Sequence, residues 1–455
     1  WASIGNVLTA MQIHEAMARD VLVPWRSWRH ERFKSMRTLH DADRGGYTFA
    51  PDVGLHEDVA ELDFSALYPN IIVQENISPE TIRCDCHTRD DVPELGYAIC
   101  DRPGYLGDVL GPLIADRDAM KAELKTVEDP ARRRDLEGRI DAIKWILVSC
   151  FGYQGFSNAK FGRIEAHEAI NAFAREYLLR AKERLEAGGW RVVHGIVDSI
   201  WVTPDGGGSR HLDGDGSRRP LGDLAAEITD DVGIELEHEA DYDWVAFVPR
   251  TEDDAGALTK YFGRYATPRP DGTQYKYRGI EVRQRSTCDW VAAVQRDLVE
   301  TLDAHRTAEP VVERLGVHLR RLEAGEVDPD RLLVRNRVSK RLAEYSQSTR
   351  NVAALERAAD MGLEKRPGQD VAYVVTDDTA SSRARVQLGH EAPDTYDPAF
   401  YRDRAIRAAE AIVSPLGWRR EDIRAALADT DPTRLDAFGG GETQLDALGG
   451  GEVRT

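Results

Sequence analysis

The stretch Leu62-Asp63-Phe64-Ser65-Ala66-Leu67-Tyr68-Pro69-Asn70-Ile71-Ile72 decides how the rest of the chain is read. A carboxylate closes an apolar run, and an aromatic residue follows five positions later, directly before a proline. That order suits an Asp held at a strand end to meet a hard metal ion, with Tyr68 flooring a pocket beside it. A lone Asp at a strand end is usually a turn residue, so the reading needs partners elsewhere.

Residues 190–202 supply one. The run is β-branched and aromatic, with Gly195 reading as the centre of a turn and Asp198 beside it, so a hairpin is expected. Joining a hydroxyl to a nucleoside triphosphate needs two metal ions about 4 Å apart, clamping the attacking and leaving oxygens. Two Asp residues on adjacent strands of one sheet would supply the carboxylates, and Asp63 and Asp198 are the candidates.

Between them, residues 110–144 favour helix but break at Asp129-Pro130, which predicts two antiparallel helices. Arg117 and Lys121 are four apart and share a helical face. Lys144 falls near the end of the returning helix, where it can lie alongside them. Three cations on one face can grip phosphates. The plainer reading makes them surface residues of a highly charged hairpin. A further helix is expected over residues 164–187, ending at Gly188-Gly189, and strands near residues 244–248 and 275–283. Beyond residue 289 the pattern is mainly helical to residue 418, with one strand at 372–376.

Composition sets bounds. At 455 residues the chain should divide into two to four subdomains. Apolar residues at 42% and charged residues at 31% are those of a globular protein. No run approaches the roughly 18 apolar residues of a membrane helix, and no signal segment opens the chain, so the expected compartment is the cytoplasm. Five cysteines, unevenly spaced, do not make a disulfide framework and suit a reducing compartment. The net charge of −19 argues against simple nucleic-acid binding unless acids cover the outer surface while bases line a groove. Arg far outnumbers Lys and Asp is plentiful, as in proteins of high-salt cytoplasm. Between residues 331 and 350 stand six basic residues (Arg331, Arg335, Arg337, Lys340, Arg341, Arg350) against one acid, Glu344. Such a run is either a solvated helix face or an element that grips DNA phosphates, and the acidic background favours the second.

Taken together, these motifs resemble family B DNA polymerases of archaeal type. Asp63 to Ile72 looks like the family's DFxSLYPSII motif. Residues 144–152, Lys-Trp-Ile-Leu-Val-Ser-Cys-Phe-Gly, resemble KxxxNSxYG of the fingers, and residues 194–199, His-Gly-Ile-Val-Asp-Ser, resemble YGDTDS of the palm. The Arg117/Lys121 pair matches RxxxK. Gly45-Gly46-Tyr47, Lys260-Tyr261, residues 278–281 and residues 396–418 resemble weaker flanks. Two motifs are eroded. Val148 and Phe151 stand where the fingers motif has Asn and Tyr, Ile196 and Val197 stand for Asp and Thr of the palm motif, and Thr259 stands at a Lys position.

The resemblance implies an α+β fold of right-hand polymerase architecture, with a mixed or antiparallel palm sheet, helical-hairpin fingers and a mainly helical thumb. It divides the chain into an N-terminal palm portion (1–105), fingers (106–160), palm (161–300), thumb (301–425) and a flexible tail (426–455). It implies DNA-dependent DNA synthesis in replication or repair, on primer-template DNA with deoxynucleoside triphosphates, and no proofreading exonuclease in this chain. Asp63 and Asp198 would hold two Mg²⁺ ions, or Mn²⁺. Tyr68 would exclude ribonucleotides, Arg117, Lys121, Lys144 and Phe151 would bind the nucleotide, and Lys260, Tyr261, Arg335, Arg337, Lys340 and Arg341 would meet DNA. The erosion leaves a second reading open, a weakened or inactive homologue that binds primer-template DNA as a replisome scaffold.

Two features stand apart. Cys84-Asp85-Cys86-His87 with Cys100 offers four soft ligands, but the spacing is cramped for a zinc knuckle, and free thiols are the plainer expectation. Leu435-x-x-Phe438 in the glycine-rich tail faintly resembles a sliding-clamp-binding peptide, against the plainer reading of a linker.

Overall fold

The computed structural model describes residues 3–26, 31–86, 88–205 and 218–429. The chain divides into two compact units, Trp1–Pro51 with Asp58–Tyr242, and Asp52–Glu57 with Asp243–Thr455.

In the first unit, α1 (Ile4–Ala18) and α2 (Met36–Ala42) lead into β1 (Thr48–Phe49) and, from Asp58 onward, β2 (Gly54–Phe64), whose last residues carry Asp63. Then come α3 (Leu67–Gln74), α4 (Tyr105–Leu124), α5 (Pro130–Gln154) and α6 (Ile164–Ala187). The hairpin β3 (Trp190–Ile196) and β4 (Ser199–Pro204), α7 (Leu221–Val232) and the start of β5 (Leu236–Pro249) complete the unit. The strand order here is β1-β3-β4-β2, with β5 next to β2.

The helical hairpin breaks where the sequence places it, but α5 runs ten residues past Lys144, which therefore lies within the helix and not near its end. Asp129 caps α5, accepting from the Ala131 and Arg132 amides at 3.1 and 3.2 Å, and Pro130 occupies the first turn, where its missing N–H costs nothing. Met120, Leu136 and Ile140 form a small core between the two helices. At the foot of α4, Gly104 offers no capping side chain. Residues just after α3 do that work instead: Asn76 Oδ1 accepts from the Gly104 amide at 2.6 Å, and Glu80 Oε1 from the Tyr105 amide at 2.6 Å. The sequence reading of α6 matches its observed bounds. Ala166, Ala169, Ala172, Ala174 and Ala181, with Ile170, Leu178 and Leu185, are buried, letting it lie against α3, α5 and β3.

In the second unit β5 continues, followed by β6 (Gly256–Tyr265) and β7 (Tyr275–Arg278) in that order across the sheet. Helices α8 (Asp289–His305), α9 (Ala308–Glu323), α10 (Arg350–Asp360), α11 (Pro398–Val413) and α12 (Arg420–Asp429) follow, with α8, α9 and α11 packed on one another. One core holds them together, from Trp244 and Phe262 to Leu298, Leu315, Tyr401 and Ile412. This region is less helical than the sequence suggests. Besides the expected strand, seen as β9 (Asp370–Val375), it has β8 (Val334–Arg337) and β10 (Val386–Leu388), in the order β10-β9-β8 and antiparallel throughout. The basic run is therefore not one helix face: Arg331 lies in a short 3-10 turn, Arg335 and Arg337 on β8, Lys340 and Arg341 in the chain after it, and Arg350 opens α10. A strand of four residues is too short for its alternation to show against a helical background.

The fold is α+β with an antiparallel sheet. No described helix is long and apolar enough to cross a membrane.

Candidate active site

Asp63 and Asp198 meet at one edge of the β2-β4 pair. Asp63 stands opposite Ser199 in the antiparallel register, and the Phe64 amide donates to the Asp198 carbonyl at 2.9 Å. The turn that carries Asp198 is not made by glycine. Gly195 lies within β3, opposite Ile200 and Phe49, and a Cβ there would sit 2.5 Å from the Phe49 ring. The turn residue is Val197, held at φ 55°, with its amide bonded to the Tyr47 carbonyl at 3.0 Å. A β-branched residue in the left-handed region is strained, and such strain clusters at functional sites.

The electrostatics favour a cation. The Ser199 hydroxyl donates to Asp63 Oδ1 at 2.6 Å and lies 3.4 Å from Asp198 Oδ1. Burial, then the charge of Asp198, push the Asp63 carboxyl up to about 7, with Glu239 and Glu61 adding to the effect and Ser199 opposing it. Burial also raises Asp198. Two half-buried carboxylates that resist joint ionisation are what a divalent ion relieves, and an all-oxygen donor set suits Mg²⁺ or Mn²⁺.

Tyr68 is brought to this edge by the turn that follows β2, where Ala66 takes φ 45° and Asn70 Nδ2 donates to the Ser65 carbonyl at 2.7 Å. Its ring stacks on Phe151 (centroids 4.0 Å, planes 14° apart), which stacks in turn on His167 (4.2 Å, 18°). Gly46 leaves room for the phenol, since a Cβ there would be 3.0 Å from the Tyr68 hydroxyl. Burial raises the Tyr68 phenol to about 12, so it stays neutral.

From Phe151 the exposed face of α5 runs back through Val148 to Lys144, at spacings of three and four that share one side. Lys144 is exposed and has no carboxylate partner among the described residues, and Val148 is 60% exposed. On α4, Arg117 is half-buried, with Nε lacking a hydrogen-bond partner among the described residues. Lys121 pairs with Glu237 at 3.4 Å on β5. The three cations expected to bind phosphate therefore lie on one helical hairpin, one of them already tied to the sheet.

Sequence reading missed Glu239. Its charge reaches Asp63, and it alternates with Glu237 on β5 and with Glu235 just before the strand. That period of two was legible as one carboxylate-bearing strand face, but acidic residues are so common here that it did not stand out.

In the second unit, Arg335, Arg337, Lys340 and Arg341 are exposed and their charged groups have no carboxylate partner among the described residues, although the Arg341 amide donates to Glu344 at 2.8 Å. Arg350 is different, bonded twice to Asp378 at 2.6 Å. Lys260 is half-buried on β6. Tyr261 does not sit as a surface contact: it is 4% exposed, with its ring beside Phe247 at 5.8 Å, so it packs the sheet. Cys84, Cys86 and Cys100 come together, whereas His87 lies outside the described residues. Leu435 and Phe438 also lie outside them.

Comparison with known proteins agrees with this geometry. The family model for DNA polymerase family B matches residues 6–203. The chain is 27% identical over 435 residues to DNA polymerase 1 of Pyrococcus abyssi, covering 93% of this chain and 53% of that protein. It is 34% identical over 248 residues to DNA polymerase 2 of Saccharolobus solfataricus, covering 54% of this chain and 35% of that one. The chain thus spans about half the length of the curated relatives it matches. The solved family B DNA polymerase of Pyrobaculum calidifontis superposes with a TM-score of 0.65 at 26% identity, over 92% of this chain and 52% of that one. The paired aspartates, the stacked tyrosine and the cationic hairpin thus stand on a chain that is similar, over most of its length, to family B DNA polymerases.

Proposed function

We propose that the chain catalyses template-directed addition of deoxynucleotides to a primer 3′ end. The observation that carries this is the Asp63–Ser199–Asp198 arrangement, two carboxylates sharing one hydroxyl and resisting joint ionisation. Two bound Mg²⁺ ions (or Mn²⁺) would activate the primer hydroxyl and neutralise the leaving pyrophosphate. Asp63 and Asp198 would hold them, and Ser199 would keep Asp63 aimed. Lys144, Arg117 and Lys121 would bind the triphosphate, the last after leaving Glu237. Phe151 would offer a ring edge to the incoming base, while Tyr68, fixed by its stack, would block a ribose 2′-hydroxyl. The stripe from Arg335 to Arg341, with Lys260, would hold duplex phosphates. Residues 106–160 would act as fingers, 1–105 and 161–300 as palm, and 301–425 as thumb.

Primer extension with Mg²⁺ tests this, comparing wild type with Asp63→Ala and Asp198→Ala. Extension that vanishes in both variants is expected. A wild-type chain that binds primer-template DNA but extends nothing, at low and high salt, would sink the catalytic reading and leave a DNA-binding homologue.

A further inference from the structure

We propose that Cys84, Cys86 and Cys100 form a site for one soft divalent ion, zinc, that fastens the loop at the foot of α4. Their sulfurs all lie within 4.8 Å of one another, and those of Cys86 and Cys100 are 3.5 Å apart. Zinc–sulfur bonds of about 2.3 Å in a tetrahedron put neighbouring sulfurs about 3.8 Å apart, so small side-chain shifts would complete the site. A disulfide needs about 2.05 Å and would leave the third thiol idle.

The backbone prepares this cluster. Ile82 and Ile99 form an antiparallel bridge, flanked by Arg83 N–H to Ala98 O at 2.7 Å and Cys100 N–H to Thr81 O at 2.9 Å. That ribbon sets the Cys84-Asp85-Cys86 turn over Cys100. The carbonyl of Cys100 accepts from Asn76 Nδ2 at 2.8 Å, and its sulfur takes the Arg102 amide, the kind of donor that orients a thiolate ligand. Cys100 is buried, Cys84 half-buried and Cys86 exposed, so the fourth position opens to solvent and a water or an added ligand can fill it. Asn76 also accepts from the Gly104 amide, so the ion would brace the start of α4 through a single carboxamide. Three thiolates leave one negative charge on a zinc complex, and the Arg102 guanidinium near Cys100 offsets it.

The test is independent of polymerase activity. The full chain, purified reduced and without chelator, is dialysed into metal-free buffer, and its zinc is counted by mass spectrometry. One zinc per chain is expected. Cys86→Ser, at an exposed position, and Cys100→Ser should each lose at least nine-tenths of it, while Cys150→Ser and Cys288→Ser keep it. Co²⁺ added to the metal-free chain should give visible d–d bands of a tetrahedral thiolate site, lost in Cys86→Ser. A chain without zinc and without those cobalt bands overturns the proposal. Thiol counting on the unreduced, denatured chain then tells what stands there: all five cysteines reactive means free thiols, and two missing means a disulfide.

Discussion

Asp63→Asn should stabilise the metal-free protein at neutral pH while abolishing its response to Mg²⁺. In the unfolded chain this carboxyl titrates near its ordinary value of 3.8, and in the folded chain near 7. Between those values the native state holds a proton that the unfolded state lacks. The free energy of unfolding therefore falls as pH rises from about 4 to about 7, and above that the loss is complete. About three pH units at 1.36 kcal/mol each give roughly 4 kcal/mol, and residual solvent access trims this to about 2–4 kcal/mol. Asn removes the penalty and can still accept from the Ser199 hydroxyl. Urea unfolding followed by circular dichroism, at pH 5 to 8 in EDTA and again in Mg²⁺, measures it. Wild type should weaken with pH in EDTA and regain stability with Mg²⁺. The variant should be about 2–4 kcal/mol stronger than wild type at pH 8 in EDTA and indifferent to Mg²⁺. A variant weaker than wild type under those conditions would refute the assignment of the strain to Asp63.

Four further outcomes follow from the same geometry. Tyr68→Ala should raise ribonucleotide incorporation relative to deoxynucleotide by roughly 10- to 100-fold in primer extension, because the stacked ring no longer occupies the space. Lys144→Ala should lower kcat/KM for the triphosphate by about 100-fold, with primer-template affinity unchanged in a filter-binding assay. Replacing Arg335, Arg337, Lys340 and Arg341 together by Ala should flatten the slope of log affinity for duplex DNA against log salt by about 3–4, read by fluorescence anisotropy. Val197→Asn should stabilise the fold by about 1 kcal/mol in urea, since Asn tolerates the left-handed backbone that Val resists; a loss of stability would show that packing outweighs the strain.

Where the sequence was readable, local chemistry spoke alone. Asp129-Pro130 could only begin a helix, and the bounds of α6 were set by its own glycine stop. The Asp63 and Asp198 pairing was legible because both sit beside apolar strand runs of ordinary length. The misreadings all needed a distant partner. Gly195 reads as a turn residue until Phe49, far upstream, is seen crossing it. Strands β8 and β10 are too short to carry a period and are fixed by β9 between them. Tyr261 carries a polar tip that suggests a surface, yet its ring is claimed by Phe247 across the sheet. Glu239 matters only through its field at Asp63, which no spacing rule expresses.

The stacked rings of Tyr68, Phe151 and His167 have a mechanical meaning. They grip α5 at one end only, while its other end at Pro130 projects beyond them by 21 residues, about 32 Å. The helix is thus a lever with its bearing beside the carboxylates. A tilt of about 10° at Phe151 would displace the tip by about 5 Å but shift the bearing hardly at all. Lys144, two turns from the bearing, would travel only about 2 Å, enough to make or release a phosphate contact without disturbing the floor beneath it.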